Sequence, residues 1–221
     1  YTDLAVITAD EAIAIEANEV FQNLCMAQVM EETHELLASP KCLQNRVMDM
    51  IDEEIAHKKN GEEAYIGLKM NSVTDKKIID KLIEASRAGV RVDMVIRGIC
   101  CLIPGIAGAT ENIHVRSIVG RYLEHSRIYI FGVGECEKIY ISSADFMTRN
   151  TEKRVEIAAP IKSPELRKRI HDMFEVFLSD NVKARILMPD GIYKKHVISK
   201  EDKHIDSQEY FFDEAYEQAK K

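Results

Sequence analysis

The stretch of residues 64–96, AYIGLKMNSVTDKKIIDKLIEASRAGVRVDMVI, contains a helical segment between two strand-like segments. Residues 64–70 alternate as a strand does, and residues 90–96 form a second apolar segment of strand length. Residues 74–88 have helical periodicity, and Gly89 ends that helix. A strand, a helix and a strand in so short a stretch are the signature of a right-handed parallel crossover. The stretch therefore predicts an α/β fold.

Further elements are predicted on both sides of this crossover. Helices are expected at or near residues 8–24, 43–59, 163–178 and 207–221. Strands are expected at residues 114–118, 127–131, 138–142, 155–158 and 184–188. The second and third of these strands pair as a hairpin across a glycine-containing turn, and the last helix is either exposed and amphipathic or partly frayed. The pattern predicts one α/β domain with a helical N-terminal lead-in.

Composition restricts the class of protein. Of the 221 residues, 46% are hydrophobic and 30% are charged, which suffices for a core and a polar surface. No apolar run approaches the roughly 20 residues of a membrane-spanning helix and no leader sequence is seen, so the expected compartment is the cytoplasm, with peripheral membrane association left open. The five cysteines lack metal-binding spacing, and their odd number argues against a disulfide framework. Because the chain starts at Tyr1 without a methionine, we interpret it as a piece of a longer protein.

The charge is distributed unevenly along the chain. The formal net charge of -7 disfavours broad nucleic-acid binding. Residues 91–160 nevertheless contain nine Lys and Arg against eight Asp and Glu, so the rest of the chain carries the acidic surplus. An anion-binding site is therefore expected in the middle of the chain.

Side chains that follow the crossover strands are the first candidates, because ligands of open α/β sheets bind at the carboxyl ends of strands. Arg97 directly follows the second strand, and Gly98 beside it would let a phosphate approach closely. Lys69 and Asn71 lie at the end of the first strand and are expected to open onto the same edge. Arg97 could instead pair with a surface carboxylate, and Asn71 could be a turn or helix-capping residue.

His125 is the sharpest candidate. It precedes Arg127 by two residues in an apolar strand-like run, so both side chains are expected to face the same way. The arginine could hold an anionic substrate against the imidazole, which then acts as a nucleophile or as a general acid–base group. Hydroxyl and cationic donors follow in Ser142-Ser143 and in Arg149-Asn150. A single histidine in a strand is more often structural, so both readings stay open at this point.

Several motifs together resemble a known family. His125 and Arg127, followed by a glycine turn and by Ser142-Ser143-Ala144-Asp145, are similar to the second half-site of the phospholipase D superfamily, His-x-Lys and then Gly/Ser-Ser-x-Asn, with Arg127 in place of the lysine. Longer stretches closely resemble bacterial polyphosphate kinase of the large, histidine-phosphorylating type: RGICCLIPG at 97–105, ENIHVRSIVGRYLEHSRIYIF at 111–131 and SSADFMTRN at 142–150. YTDLAVITAD at 1–10 and KMNSVTD at 69–75 fit the same family, so the resemblance covers about residues 1–190.

The resemblance implies both an architecture and an activity. It implies a phospholipase D-like mixed sheet flanked by helices. Residues 1–40 would be the end of a preceding phospholipase D-like domain and a connecting helix, residues 41–190 the C-terminal phospholipase D-like catalytic domain, and residues 191–221 a helical tail. The implied reaction is the reversible transfer of the terminal phosphate of ATP to inorganic polyphosphate through a phosphohistidine that would lie upstream of Tyr1.

The resemblance also assigns roles to individual residues and names the expected ligands. Tyr1 and Arg97 would bind the phosphates of ATP, and His125 would contact the transferring phosphate as the catalytic acid–base partner of the upstream nucleophile. Arg121, Arg127 and Arg149 belong to the same motifs and would be further phosphate-channel residues. Lys69 and Asn71, placed at the sheet edge by the strand ends, are expected in the same channel. The substrate would be ATP with Mg²⁺, whose ligands are expected outside this chain, so no metal site is expected within it. The expected partners are polyphosphate, ATP or ADP, the missing N-terminal, helical and first phospholipase D-like domains, and further copies in a homo-oligomer, without nucleic acid or a transmembrane segment.

Two other functions remain open from the sequence. One is a phospholipase D-like phosphodiesterase or nuclease, which would need a dimer that places two copies of His125 face to face; Arg127 in place of lysine and the acidic net charge count against it. The other is a non-catalytic interaction module, which only the predicted exposed C-terminal helix favours.

Overall fold

A mixed β-sheet organises the chain in the computed structural model, which describes residues 2–195, 199 and 203–220. In the described residues the sheet has nine strands in the order β1-β7-β6-β5-β2-β3-β4-β8-β9. The strands are β1 (Leu37–Ser39), β2 (Tyr65–Met70), β3 (Arg91–Ile96), β4 (Ile113–Ser117), β5 (Arg127–Phe131), β6 (Lys138–Ser142), β7 (Glu156–Pro160), β8 (Arg185–Leu187) and β9 (Tyr193–Lys195). Adjacent strands β2, β3 and β4 are parallel, and the other pairings are antiparallel.

Six α-helices surround the sheet in the described part of the chain. They are α1 (Glu11–Cys25), α2 (Leu43–Lys59), α3 (Lys76–Arg87), α4 (Thr148–Glu152), α5 (Pro164–Ser179) and α6 (Ser207–Ala219). Several begin at a residue whose side chain satisfies free backbone N–H groups of the first turn. Asp75, for example, accepts from the backbone N–H of Lys77 at 3.0 Å and of Ile78 at 3.3 Å, and this cap explains why α3 begins at Lys76. None of the helices found among these residues combines the length and the apolar character needed to cross a membrane.

The parallel crossover predicted from residues 64–96 is confirmed. Strands β2 and β3 pair in parallel from Tyr65 opposite Arg91 to Met70 opposite Ile96, with α3 between them in the chain. Helix α3 packs through Ile78 and Leu82, whose side chains are fully buried in the same core as β2. The carboxyl ends of β2 and β3 consequently lie side by side at one edge of the sheet.

The two faces of the sheet carry separate cores because side chains alternate along each strand. Tyr129 and Phe131 of β5 point into the core that also contains residues of α2 and α3. Ile128 and Ile130 of the same strand point into the second core, which Phe174 of α5 completes. The sheet is therefore a central layer between helices, as the predicted mixed α/β architecture requires.

The structure differs from the predicted elements at the edges. Strands β1 and β9, of three residues each, were not predicted. They are edge strands of the sheet, which therefore extends across the predicted boundaries at residues 40 and 190; the division into domains stays a prediction. The predicted tail helix is α6, yet its first two residues, Ser207 and Gln208, are buried rather than exposed.

Candidate active site

A cavity of about 720 Å³ opens where four strands of the sheet end or begin. Strands β2 and β3 deliver Asn71 and Arg97 at their carboxyl ends, while the antiparallel strands β5 and β6 deliver Arg127 and Ser142 at the same edge. Basic and acidic side chains share its wall: Arg97, His125, Arg127, Arg149 and Arg154 with Asp3, Asp145 and Glu156. The site thus lies where ligands of open α/β sheets bind.

His125 lies in this cavity with its ring held from two sides. Its Nδ1 atom lies 2.8 Å from an oxygen of Asp3. Arg127 Nη1 lies about equally far from both ring nitrogens, 3.2 Å from His125 Nδ1 and 3.1 Å from Nε2, and it donates to the backbone oxygen of His125 at 2.9 Å. The side chains of His125 and Arg127 are therefore adjacent, in agreement with their predicted common orientation.

The surroundings of Asp3 favour the ionised form of its carboxyl group, which faces His125. Burial by itself raises the pKa of Asp3, but hydrogen bonds from His125 and from the Leu4 backbone, together with the positive charge of Arg127, outweigh burial and hold that pKa below its usual value. Asp3 is therefore ionised near neutral pH and is a suitable acceptor for an imidazole N–H.

A chain of hydrogen bonds fixes the two arginines at the base of the cavity. The buried carboxylate of Asp145 accepts from Arg127 Nε at 3.2 Å and from the backbone N–H of Asn71 at 2.8 Å. The Asn71 Oδ1 atom in turn accepts from Arg97 Nη2 at 2.6 Å and from Arg97 Nε at 3.0 Å. Arg127 is thus paired with a carboxylate, whereas Arg97 is oriented by a neutral amide and keeps its full charge toward the cavity.

Gly98 lies beside Arg97 because the backbone of the neighbouring strand end leaves no room for a side chain. A Cβ atom at Gly98 would lie 3.0 Å from the Asn71 carbonyl oxygen and 3.1 Å from Ser72 Oγ. The Gly98 N–H donates to the same Asn71 oxygen at 2.7 Å. A side chain at position 98 would therefore crowd the end of β2, and the Gly98 backbone links the ends of β2 and β3 next to Arg97.

Lys69 does not lie where the sequence predicted. Instead of opening onto the edge, its side chain turns into the interior, where it is 2% exposed. Its Nζ atom lies 3.2 Å from Glu124 Oε2 and donates to Ser126 Oγ at 2.8 Å. Burial lowers the pKa of Lys69, and the charge of Glu124 opposes that change. A charged lysine at this depth requires such partners. Lys69 therefore forms a buried ion pair and does not line the cavity.

The other predicted residues are divided between the cavity and its surroundings. Arg149 lies on the cavity wall and is exposed. Arg121 is exposed outside it, with its guanidinium carbon 5.4 Å from the centre of the Tyr122 ring. Tyr1 lies outside the described residues. Ser142 and Ser143 line the cavity, but their hydroxyl groups also donate to the Ile157 backbone oxygen and to Glu156.

The cavity wall also contains residues that were not predicted as part of the site, among them Arg154, Asp145 and Asp3. Arg154 follows Arg149 by five residues and belongs to the same basic run, so a count of cations along residues 142–154 could have indicated it. Asp145 belongs to a motif of the resembling family but was not predicted as a site residue, although its carboxylate accepts from both Arg127 and the Asn71 backbone at the base of the cavity. Asp3 is 122 positions away from His125, and no local pattern in the sequence signals that contact.

The donors of the cavity are suited to anions rather than to a protein-bound cation. Within residues 2–195, 199 and 203–220, no group of three or more His, Cys, Asp or Glu side chains is arranged to hold a metal ion. Guanidinium groups present several N–H donors in a plane, which matches the oxygens of a phosphate or carboxylate. The arrangement can therefore bind a phosphorylated compound next to an imidazole.

Comparison with known proteins gives consistent results. The family model described as "Polyphosphate kinase C-terminal domain 2" matches residues 36–208. A polyphosphate kinase from Bacillus cereus is 47% identical over 217 residues, which are 98% of this chain and 31% of that protein. A crystal structure of polyphosphate kinase from Porphyromonas gingivalis superposes with a TM-score of 0.88 at 33% identity, covering 96% of this chain and 32% of that one. The chain therefore spans about a third of the length of these relatives.

A second structural likeness concerns the fold alone. The phospholipase D family member Nuc from Salmonella typhimurium superposes with a TM-score of 0.52 at 20% identity. The match covers 70% of this chain and 97% of that one. The sheet and its flanking helices thus have a phospholipase D-like arrangement.

Proposed function

The chain belongs to the polyphosphate kinase family, and from this premise we propose that it supplies one half of a composite site for reversible phosphoryl transfer between ATP and inorganic polyphosphate. The other half, including the histidine that becomes phosphorylated, would lie upstream of this chain. Relatives about three times as long leave room for such a part. In this function His125 is the partner of the nucleophile and not the nucleophile itself.

The observation that carries the proposal is the juxtaposition of His125 with fixed guanidinium groups in one cavity. Phosphoryl transfer depends mainly on positioning and on neutralising the charge of the phosphate oxygens. Preorganised donors are effective because they need little rearrangement during the reaction. Asn71 and Asp145 provide that preorganisation for Arg97 and Arg127. Arg149 and Arg154 on the wall would bind further phosphates of the nucleotide or of the polyphosphate chain.

The hydrogen bonds of His125 support an acid–base role. An ionised Asp3 near Nδ1 favours a proton on that nitrogen, and Arg127 Nη1 lies 3.2 Å from Nδ1 and 3.1 Å from Nε2. The other ring nitrogen, Nε2, would then be the atom through which the imidazole exchanges a proton with the substrate during transfer. His125 would then contact the transferring phosphate and exchange a proton with it as the bond to the upstream histidine forms or breaks.

Magnesium, where it accompanies ATP, would be held by phosphate oxygens and by residues outside this chain. Asp145, the most buried carboxylate of the cavity, is already engaged by Arg127 and Asn71. The roles of Tyr1, at the start of the chain, and of Arg121, on the adjoining surface, would require the upstream domains to close over the cavity. Polyphosphate, ATP or ADP and those domains are the proposed partners.

The first test is nucleotide binding by the full-length enzyme that contains this chain. Arg97→Ala should weaken ATP binding in titration calorimetry by about 10- to 100-fold, because a charge-assisted hydrogen bond contributes about 1.5–3 kcal/mol. Arg185→Ala is a matched control, since Arg185 is exposed on β8, outside the cavity. Equal affinities for the two variants would contradict the assignment of Arg97.

The second test concerns catalysis. His125→Ala in the full-length enzyme should abolish polyphosphate synthesis, since removal of a general acid–base group typically lowers a rate by about 10²–10⁴-fold. The isolated 221 residues should not synthesise polyphosphate from ATP. Unchanged synthesis by the variant would make His125 structural, and turnover by the isolated chain would show that the nucleophile lies within it.

A further inference from the structure

A buried polar cluster lies next to His125 in the chain and does not line the cavity. Its centre is Glu124, which is 5% exposed and precedes His125 in the chain. The Glu124 carboxylate pairs with Lys69 of β2 at 3.2 Å, and it accepts from the Thr2 hydroxyl at 3.2 Å and from Gln208 Nε2 at 2.8 Å. Three segments that are distant in sequence thus converge on the residue next to His125.

Gln208, in the first turn of α6, contributes more than this one bond. Its amide oxygen accepts from the backbone N–H of Tyr122 at 3.0 Å, and its amide nitrogen donates to the backbone oxygen of Tyr122 at 2.9 Å. Gln208 is 4% exposed and uses both ends of its amide on residues 122–124. It therefore acts on this segment as the backbone of a neighbouring strand would.

The start of α6 is fixed independently, so Gln208 is held in place from the other side. Asp180, at the end of α5, accepts from the Ser207 backbone N–H at 2.8 Å and from its hydroxyl at 2.7 Å. Ser207 is fully buried, and Phe211 packs on Phe177 with ring centres 5.0 Å apart. The position of Gln208 is thus determined by α5 and by the second core.

Gly120 shows that the segment is shaped to accept this glutamine. A Cβ atom built on Gly120 would lie 2.4 Å from Gln208 Oε1, closer than any unstrained contact. The backbone at Gly120 does not have a positive φ, so the glycine is required for space and not for conformation. A side chain at position 120 would push the glutamine amide away from Tyr122.

The same cluster reaches the carboxylate partner of His125. Thr2 lies parallel to Glu124: its N–H donates to Leu123 at 2.8 Å, and its carbonyl accepts from the His125 N–H at 3.0 Å. Asp3, the next residue, contacts the His125 ring. A shift of Glu124 would therefore displace the backbone of His125 and the residue that orients its ring.

We propose that Gln208 is a positioning residue for His125 and acts through Tyr122 and Glu124. Through Gln208, helix α6 would fix residues 122–125 against the rest of the domain. The proposal rests on the proposed function, because it assigns Gln208 to the same phosphate site. Gln208 does not line the main cavity but a second cavity of about 340 Å³, which shares Asp3 and Leu4 with it, so Gln208 would not touch a substrate bound in the main cavity. The effect of replacing Gln208 on ATP affinity and on the rate of phosphoryl transfer should therefore depend on the presence of His125.

The experiment is a double-mutant cycle in the full-length enzyme, measured on ATP affinity by calorimetry because binding stays measurable when synthesis is lost. Gln208→Ala should weaken ATP binding about 3- to 10-fold, and it should lower the synthesis rate about 10- to 100-fold, since small displacements of catalytic groups cost that much. In a His125→Ala background, the same change should alter ATP affinity by less than about twofold, because groups that act as a unit are not additive. Gln218→Ala is the matched control: it removes an exposed glutamine at the far end of α6 and should change neither quantity.

Gly120→Ala provides an independent variant that leaves Gln208 in the chain, and it carries the test if Gln208→Ala fails to fold. It should reproduce the loss of ATP affinity and of synthesis, and again only when His125 is present. The positioning role is wrong if Gln208→Ala behaves like Gln218→Ala. It is also wrong if Gln208→Ala weakens ATP binding by the same factor with and without His125. Failure of the proposed function would differ from both outcomes, because the unmutated enzyme would then neither bind ATP nor make polyphosphate.

Discussion

Removal of the Asp145 carboxylate should destabilise the domain far more than removal of an exposed carboxylate. Arg127 and Asp145 form an ion pair whose side chains are only 9% and 8% exposed. Asp145→Ala would leave the Arg127 guanidinium buried without its counter-charge and the Asn71 backbone N–H without its acceptor. Breaking a buried ion pair by deleting one partner costs about 3–5 kcal/mol, mainly because the remaining charge stays desolvated.

The expected change in melting temperature follows from that free energy. For a chain of this size, 1 kcal/mol corresponds to about 2–4 °C, so Asp145→Ala should lower the melting temperature by roughly 6–20 °C. Asp172→Ala is the matched control, because Asp172 pairs with Lys168 in an exposed i,i+4 ion pair on α5. Such surface pairs contribute about 0–1 kcal/mol, so this variant should melt within about 4 °C of the original protein.

Differential scanning calorimetry of the full-length enzyme measures both shifts under the same conditions, on the unfolding transition of the domain that this chain forms. A third variant, Arg127→Met combined with Asp145→Ala, tests the cause of the loss. Because it also removes the unpaired charge, it should be more stable than Asp145→Ala alone. Equal melting temperatures for Asp145→Ala and Asp172→Ala, or a double variant as unstable as the sum of its single changes, would refute this account of the buried pair.

Two further variants test buried charges elsewhere in the domain. Lys69→Met should lower the free energy of unfolding by about 3–5 kcal/mol in chemical denaturation, because Glu124 then stays buried without a counter-charge, and Lys69→Met with Glu124→Gln should recover part of that loss. Glu54 is buried and accepts from the Tyr65 N–H at 3.0 Å, and burial raises the pKa of its carboxyl above 4.5. Since the folded state then holds the proton more tightly, stability from this group is present below pH 4.5 and is lost as the pH rises through the raised pKa. Glu54→Gln should therefore raise the melting temperature at pH 8 and change it little at pH 4; a gain that is larger at pH 4 would contradict the sign.

Local patterns in the sequence determine much of this fold. The Leu43–Lys59 helix and the Arg127–Phe131 and Lys138–Ser142 hairpin have the predicted ends, because their apolar periodicity is bounded by strong turn signals. The bounds of the other predicted elements shift by a few residues, at positions set by capping side chains such as Asp75. Strand β1 could not be predicted from three residues, since it exists only through its pairing with β7.

The site was predictable only as far as it depends on short spacings. The two-residue spacing of His125 and Arg127 predicted their common orientation, and the ends of the crossover strands predicted Arg97 and Asn71. The burial of Lys69 was not predictable in this way, because its partner Glu124 belongs to a segment 55 positions away whose path depends on the whole sheet. A lysine near a strand end has the same local sequence whether it faces a cavity or an ion pair in the core.

Under the proposed function, the arrangement of partners also explains how an acidic chain could offer a site for polyanions. The chain has a net charge of -7, and the charge of Arg127 is largely balanced by Asp145. Arg127 is therefore better suited to orient the His125 ring than to attract an anion from a distance. Arg97, held by a neutral amide, keeps its charge for a ligand, and the exposed Arg149 and Arg154 extend the positive surface along the cavity wall. Because fields in a cleft depend on the nearest charges more than on the total, local pairing outweighs the net charge of the chain in determining what this cavity can bind.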